Sequence, residues 1–508
     1  MSHASSPVST AHAGLLLLAV CAVGLAMPLS FSAGALAVPA IARDLGGSAA
    51  ALNWVTNAFM LAFGSLLMVA GALADRFGRR RLFLAGTAGF AVSSVLLCLA
   101  PSLLWLDLLR ACQGVAAAAS LASGSAALAQ RFEGPARLRA FSLLGTTFGT
   151  GLAVGPLLAG SLVAALGWRA VFAAGVALAG PAWWLARRAM QESRAPASGP
   201  LDWPGALAFT ATVSLLTLAL MQVPLHGWFG AGTLGCAGAS LGLLVVFIAI
   251  ERRRAQPMLD LSLFRYARFV GVQVLPVATC YGYVVLLVLL PLHLIGIEGL
   301  GPAHAGLVML ALSAPMLGVP LLAARLARDW SAGGLCGAGL LVAALGLAWL
   351  STRIDGAPAG LVAPLLLIGA GTGLPWGLMD ALSVSVVPTP RAGMAAGIFG
   401  TMRVAGEGIA LALVGALLAA LGQSRLLRVG ATGDHIPAAA AALAAGDLGQ
   451  AMRLLPALPA SRLVALQTDA LQLLLWVLCA ITGIAALVVL VMLRRPAAPI
   501  DAHASASA

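Results

Sequence analysis

Gly71–Arg80 reads GALADRFGRR and lies between two apolar runs, 51–70 and 82–100. Each run is long enough to cross a bilayer, which takes about 20 apolar residues. The ten residues therefore read as a short, charged, glycine-punctuated turn between two membrane spans. Asp75, Arg76, Arg79, Arg80 and Arg81 cannot enter lipid cheaply, so they hold this turn at one membrane face. Outward from the turn, fourteen apolar runs follow the same plan: 14–41, 51–73, 82–101, 103–129, 140–165, 168–187, 203–225, 230–250, 268–295, 302–327, 331–351, 357–386, 392–421 and 468–493. All must be helical, because lipid leaves no partner for an unpaired backbone group.

Composition agrees. Hydrophobic residues make up 61% of the 508 and charged residues only 9%, with a mean hydropathy of +1.00; a soluble chain carries about 25% charged residues. The net charge is +12, and all 29 basic residues are arginine. In a soluble protein that surplus would point to nucleic acid. Here the arginines sit in short loops between apolar spans. Loops on the side of Arg76 hold 20 of them and the opposite short loops hold three, Arg43, Arg169 and Arg353. The positive-inside rule then places the GALADRFGRR turn and both termini in the cytoplasm. The seven cysteines fall inside apolar runs with no C-x-x-C pair, and the seven histidines show no H-E-x-x-H spacing, so neither a disulfide framework nor a zinc enzyme is expected. No basic residue precedes 14–27, which reads as the first span rather than as a cleaved signal. The outer segment 422–467, rich in Ala and Leu, is expected to form short surface helices.

Several residues inside the spans carry chemistry. Arg110, in LDLLRACQG, lies about 12 Å into span four at 1.5 Å per residue. A buried arginine costs at least ~2.5 kcal/mol, which makes it a functional candidate, with a structural pair to Asp107 as the alternative. Span five holds Gly151, Gly155, Pro156 and Gly160, a glycine-lined helix that can kink and let a neighbour approach. Asp380 in span twelve has no basic partner at helical spacing, so it can load and release protons or simply meet water near the interface. Glu407 follows Arg403 by four residues in span thirteen, on the same helix face, as a pair or as a second proton carrier. Asn57, Gln113, Gln273, Tyr281, Tyr283 and Trp376 are the cavity candidates, because aromatics with few polar groups suit an apolar ligand; packing or lipid-facing roles remain open for each. His293 reads as an interface residue rather than a proton carrier.

The pattern G-x-L-A-D-R-x-G-R-R resembles the signature loop of the major facilitator superfamily of transporters. R-x-x-Q-G from Arg110 resembles a second signature of that superfamily, in which the arginine is tied to proton transfer. G-x-x-x-G-P-x-x-A-G from Gly151 resembles a third, characteristic of antiporters, with Ala159-Gly160 in place of a double glycine. With fourteen spans and a long outer loop before the last, residues 14–493 resemble the fourteen-span drug/proton antiporter family; Trp54 and Phe59 fit its second span. One departure stands out: Ser30 occupies the place of that family's first-span acid, and Ala35 that of its asparagine. Ala324–Trp330 is a degraded echo of GALADRF after span ten.

The resemblance implies an all-α integral membrane protein of the major facilitator fold. It has two six-helix bundles, 14–187 and 268–493 (the latter including the outer loop 422–467), and a linker, 188–267, with two extra transmembrane helices. The tails 1–13 and 494–508 are cytoplasmic. It further implies proton-coupled antiport that exports small amphipathic or drug-like molecules across a bacterial inner membrane. No enzyme activity, metal or cofactor is implied; the proton gradient drives transport. Partners are the small-molecule substrate, protons and lipid, not nucleic acid, and a periplasmic adaptor is compatible. Gly71, Asp75, Arg76, Gly78, Arg79, Arg80 and Glu133 form the conformational gate, with Asp75 against the start of span thirteen near Ala392 and Arg79 or Arg80 paired to Glu133. Proton coupling would fall to Asp380, Glu407, Arg110 and Arg403. Metabolite uptake by the same fold and a non-transporting membrane sensor are the alternatives.

Overall fold

The structure is a computed structural model that describes residues 7–47, 49–194, 202–254, 259, 261–387, 392–433 and 435–493. The tail 494–508, and with it Arg494 and Arg495, lies outside those residues, as does Arg391. Among the described residues thirteen helices are long and apolar enough to cross a membrane, and a bent one makes a fourteenth. The first eight spans are α1 (Pro7–Leu45), α2 (Ala49–Phe77), α3 (Arg79–Cys98), α4 (Leu103–Arg131), α5 (Gly134–Leu166), α6 (Trp168–Ala189), α7 (Trp203–His226) and α8 (Ala231–Arg253). Then come α9 (Ala267–Ile297), α10 (His304–Leu326), α11 (Ala332–Ser351), α12 (Pro358–Ser385) and α13 (Ala392–Arg428). Two short helices, α14 (Ile436–Ala444) and α15 (Leu448–Leu454), precede the last span, α16 (Ala460–Met492).

The order of packing separates two bundles. α1 lies on α5 and α6, α2 on α4, and α3 on α4 and α6. In the second group α11 lies on α12 and α16, α9 on α16 and α13, and α10 on α12. The bundles meet along two lines, α2 and α4 against α13, and α5 against α10 and α12. The extra pair α7–α8 packs outside, with α7 lying over the α2–α13 line, where Thr210 donates to the Ser65 carbonyl at 3.4 Å. That position suits their sequence: both are apolar all round, and α8 is mostly exposed to what would be lipid.

Helices run further than hydropathy alone indicates, since a helix can leave lipid without unwinding. α13 continues to Arg428 and α16 starts at Ala460, so less of 422–467 is loop. Between them α14 and α15 close a small core of their own, in which Ile436, Leu443 and Leu455 pack with Leu426, Leu463 and Ile297. The expected surface helices are present. On the same arginine-poor face Asp44 accepts from the Trp168 indole at 2.9 Å and the Arg169 guanidinium at 2.6 Å. Those two donors, the indole first, hold the Asp44 carboxyl below its ordinary range and tie the end of α1 to the start of α6.

The turn in GALADRFGRR also proves shorter than its charge suggests. α2 extends to Phe77 and α3 begins at Arg79, leaving Gly78 alone between them at φ +112°. A side chain there would be strained and would run into the Glu192 carboxylate. Gly151 acts differently. A Cβ on it would stand 2.6 Å from Pro28 Cγ and 2.7 Å from the Leu25 carbonyl oxygen, so its bareness sets the approach of α5 to α1. Gly160 is exposed, with nothing within 4 Å of such a Cβ. Gly151→Ala should therefore lower stability by about 1–3 kcal/mol, read as a lower melting midpoint in detergent, while Gly160→Ala leaves it unmoved. Equal effects at the two sites would contradict this packing.

Candidate functional site

The line where α5 meets α12 and α13 buries an ion pair. Arg403 Nη1 of α13 donates to both oxygens of Asp380 on α12, each at 3.1 Å. The side chains are 4% and 9% exposed. Arg403 Cζ also lies 4.1 Å from the ring centroid of Phe148, which comes from α5 in the other bundle, and 5.6 Å from that of Phe399. Phe148 stacks on Trp376 with centroids 5.9 Å apart. A Cβ on Gly145 would stand 3.1 Å from Asp380 Oδ2. One bundle thus supplies the charges and the other the aromatic face and the close backbone that cover them. This corrects the reading of Arg403 with Glu407 and of Asp380 alone: the partner at helical spacing is not the partner in space.

Glu407, one turn further along α13, makes no ion pair among the described residues, and its Oε1 is buried with no hydrogen-bond partner. It lines an apolar cavity with Met27, Phe31, Phe59, Phe63 and Phe148 of the first bundle. A second narrow cavity reaches the ion pair past Leu67, Leu121, Ser125 and Phe141. Both open on the seam between bundles.

Arg110 is fully buried and makes no ion pair among the described residues. Its Nε donates to the Val55 carbonyl at 2.8 Å, and Nη1 donates to Ser30 Oγ at 3.0 Å and Gln113 Oε1 at 2.6 Å. Phe59 lies beneath it at 4.4 Å, and Gln113 Nε2 donates onward to Ser94 at 2.7 Å. The alternative pair with Asp107 does not form; Asp107 Oδ1 is buried with no hydrogen-bond partner. Ser30, the residue standing where an acid was expected, is one of the ligands. The arginine therefore links α1, α2, α3 and α4 through dipoles and a ring face. Gln113 belongs to this network rather than to a cavity.

At the arginine-rich face Arg79 donates to Asp75 Oδ1 from Nε and Nη2, at 3.1 and 2.8 Å, and to Gln130 Oε1 from Nη1 at 2.7 Å. Arg80 donates to the Arg187 carbonyl at 3.1 Å. Glu192, from the segment after α6, accepts the backbone N–H of Arg80 at 3.1 Å and of Arg81 at 3.2 Å, capping the start of α3. The expected pairing with Glu133 is replaced by these contacts; Glu133 is exposed at the N-cap of α5. Asp75, expected against α13 near Ala392, is engaged by Arg79. Gly71 and Arg76 lie inside α2, with Arg76 over Phe77 at 5.5 Å. Glu192 and Gln130 were missed because nothing in the sequence links positions 51 or 112 residues apart.

α5 bends by 45° between 139–155 and 158–166. α9 holds two π-helical turns, Cys280–Val284 and Leu292–Ile297. Tyr281 and Tyr283 lie in the first, half-buried and fully buried respectively. His293 lies in the second, 3.0 Å from Glu298. Gln273 is buried with neither amide atom partnered, and Asn57 is half-buried on α2. Trp376 is the cavity candidate that reaches the ion pair. Removing one partner of that pair leaves a stranded charge. Arg403→Met or Asp380→Leu alone should cost about 3–5 kcal/mol, and the double variant less than either. Additive losses in chemical denaturation would show that the two side chains do not act as a pair.

The model of the Major Facilitator Superfamily matches residues 18–411. The chain is 31% identical over 388 residues to the multidrug resistance protein Stp of Mycobacterium tuberculosis, covering 76% of this chain and 72% of that one. It is 30% identical over 422 residues to the multidrug efflux pump LfrA of Mycolicibacterium smegmatis, covering 82% and 84%. Among solved structures, the human organic anion transporter MFSD10 superposes with a TM-score of 0.60 at 14% identity, over 95% of this chain and all of that one. The chain belongs to the major facilitator superfamily.

Proposed function

We propose that this multi-pass transporter exports small amphipathic or drug-like molecules in exchange for protons, by alternating access of its two bundles. The arginine-rich face and both termini would be cytoplasmic, in a bacterial inner membrane. The observation that carries this reading is the Asp380–Arg403 pair at the seam. It belongs to one bundle, is covered by Phe148 and Gly145 of the other, and lies toward the arginine-rich side. Relatives named as multidrug resistance and efflux proteins support export of drug-like cargo.

The proposed mechanism is built on these contacts. While Asp380 is ionised, its attraction for Arg403 and the aromatic cover over both favour bundles closed on the cytoplasmic side. A proton arriving from outside cancels the carboxylate charge and frees Arg403, so the cover loses its hold and the cytoplasmic half can part. Opening exposes Asp380 to the cytoplasm, where the proton leaves and cargo enters. Glu407, lacking a partner beside an apolar cavity, supplies a second exchangeable site at the depth where cargo would lie. The Asp75–Arg79–Gln130 contacts and the Glu192 cap lie within the first bundle and brace its arginine-rich end, so that it moves as one body. The bend of α5, between 139–155 and 158–166, gives that helix a place to flex.

Reconstitution into liposomes with an imposed pH gradient tests this. Wild type should move drug-like cargo against the entering protons, and Asp380→Asn should lose gradient-driven transport while still binding cargo. Undiminished transport by Asp380→Asn would reject the coupling role, and movement of cargo with the protons would reject export.

A further inference from the structure

The arginine-rich ends of α3 and α6 meet at one corner of the membrane face. Arg80 bonds the Arg187 carbonyl, which brings Arg80, Arg81, Arg187 and Arg188 together. One carboxylate lies among them, Glu192, and it is occupied by the backbone of Arg80 and Arg81, with Arg81 Nε at 3.7 Å. The corner keeps a surplus of positive charge on exposed groups: Arg81 is 71% exposed, and Arg187 and Arg188 are exposed. Two of the guanidiniums are fixed in place. Arg188 Cζ stands 3.9 Å from the centroid of Trp184 and Arg187 Cζ 5.3 Å from that of Trp183. Trp184 is 48% exposed near the end of a membrane span, the level at which an indole borders lipid and a guanidinium stacked on it reaches water.

We propose that this corner binds the headgroup of an anionic phospholipid. Arg81, Arg187 and Arg188 hold the phosphate, and the upper acyl chain lies along Trp184. The guanidinium fork matches phosphate oxygens, and stacking on tryptophan holds it ready to bind. Tryptophan concentrates at the depth where headgroups give way to chains. Basic pockets between helices at the membrane surface hold anionic headgroups. Arg252 and Arg253, at the end of α8 on the same face, are equally exposed but have no ring contact among those described. The site is therefore set by the stacked arrangement and not by arginine content alone.

Native mass spectrometry and thermal melts of delipidated full-length protein test this, with phosphatidylglycerol, phosphatidylcholine or inorganic phosphate added. Phosphatidylglycerol should stay bound and raise the melting midpoint, and the other two should not. Arg187→Gln/Arg188→Gln should weaken phosphatidylglycerol binding on the order of tenfold or more, while Arg252→Gln/Arg253→Gln binds as wild type. Trp184→Leu, which keeps every charge, should weaken it in part. Equal loss in the two arginine pairs, retained binding in Arg187→Gln/Arg188→Gln or no change with Trp184→Leu would overturn the site. Protection by inorganic phosphate equal to that by lipid would assign it to a free anion instead.

Discussion

A guanidinium inside a membrane bundle must find partners within the protein, and the way Arg403 finds them organises this molecule. Its countercharge, Asp380, comes from the neighbouring helix, but its cover comes from the opposite bundle, through Phe148 and the bare backbone at Gly145. Partly exposing the pair to lipid or empty space would cost several kcal/mol. A closed seam and an ionised, covered pair therefore favour one another, and the proposed exchange cycle rests on the charge state of this one carboxylate. The small residues lining this seam follow from the same demand. Gly64 faces Val404 and Ala405 closely enough that a Cβ would stand 3.2–3.3 Å away, so α2 and α13 lie nearly backbone to backbone.

The molecule handles its other deeply buried arginine in the opposite way. Arg110 sits wholly within the first bundle, surrounded by a carbonyl, a serine, a glutamine and a phenylalanine ring. With Ser30 where an acid could have stood, no carboxylate among the described residues forms an ion pair with it, and its bonds stay inside one bundle. A network that does not cross the seam has no reason to change in the proposed rocking of the bundles. Arg110 thus reads as the brace of the first bundle, and the buried carboxylates Asp380 and Glu407, the proposed proton carriers, lie in the second.

The architecture was legible because lipid allows so little freedom. Uninterrupted apolar runs located the fourteen spans, and the arginines between them separated one face from the other. The glycine-lined stretch at 151–160 marked α5 as a helix that can bend, and it bends there. What the sequence could not supply is partnership between distant positions. Arg403 has an acid four residues on and takes instead one 23 residues back, because helix packing and not helical phase decides which carboxylate faces it. Glu133 is nearer in sequence to the charged turn than Glu192, yet Glu192 leaves α6 beside the start of α3 and caps it. Helix ends were underestimated at Arg428 and Ala460 for a related reason: the small core around Ile436 and Leu443 keeps those helices wound beyond the apolar run.

The central claim is that the proton on Asp380 sets whether the arginine-rich half of the seam is closed. Spin labels at Phe77, the last residue of α2, and at Trp330, beyond the same end of α10, would span that half from two exposed positions. In a cysteine-free background, wild type should show a short distance at neutral pH and a growing long-distance population as the pH falls. Asp380→Asn should show the long distance at every pH. A variant that keeps the wild-type distances and their pH dependence would contradict the account.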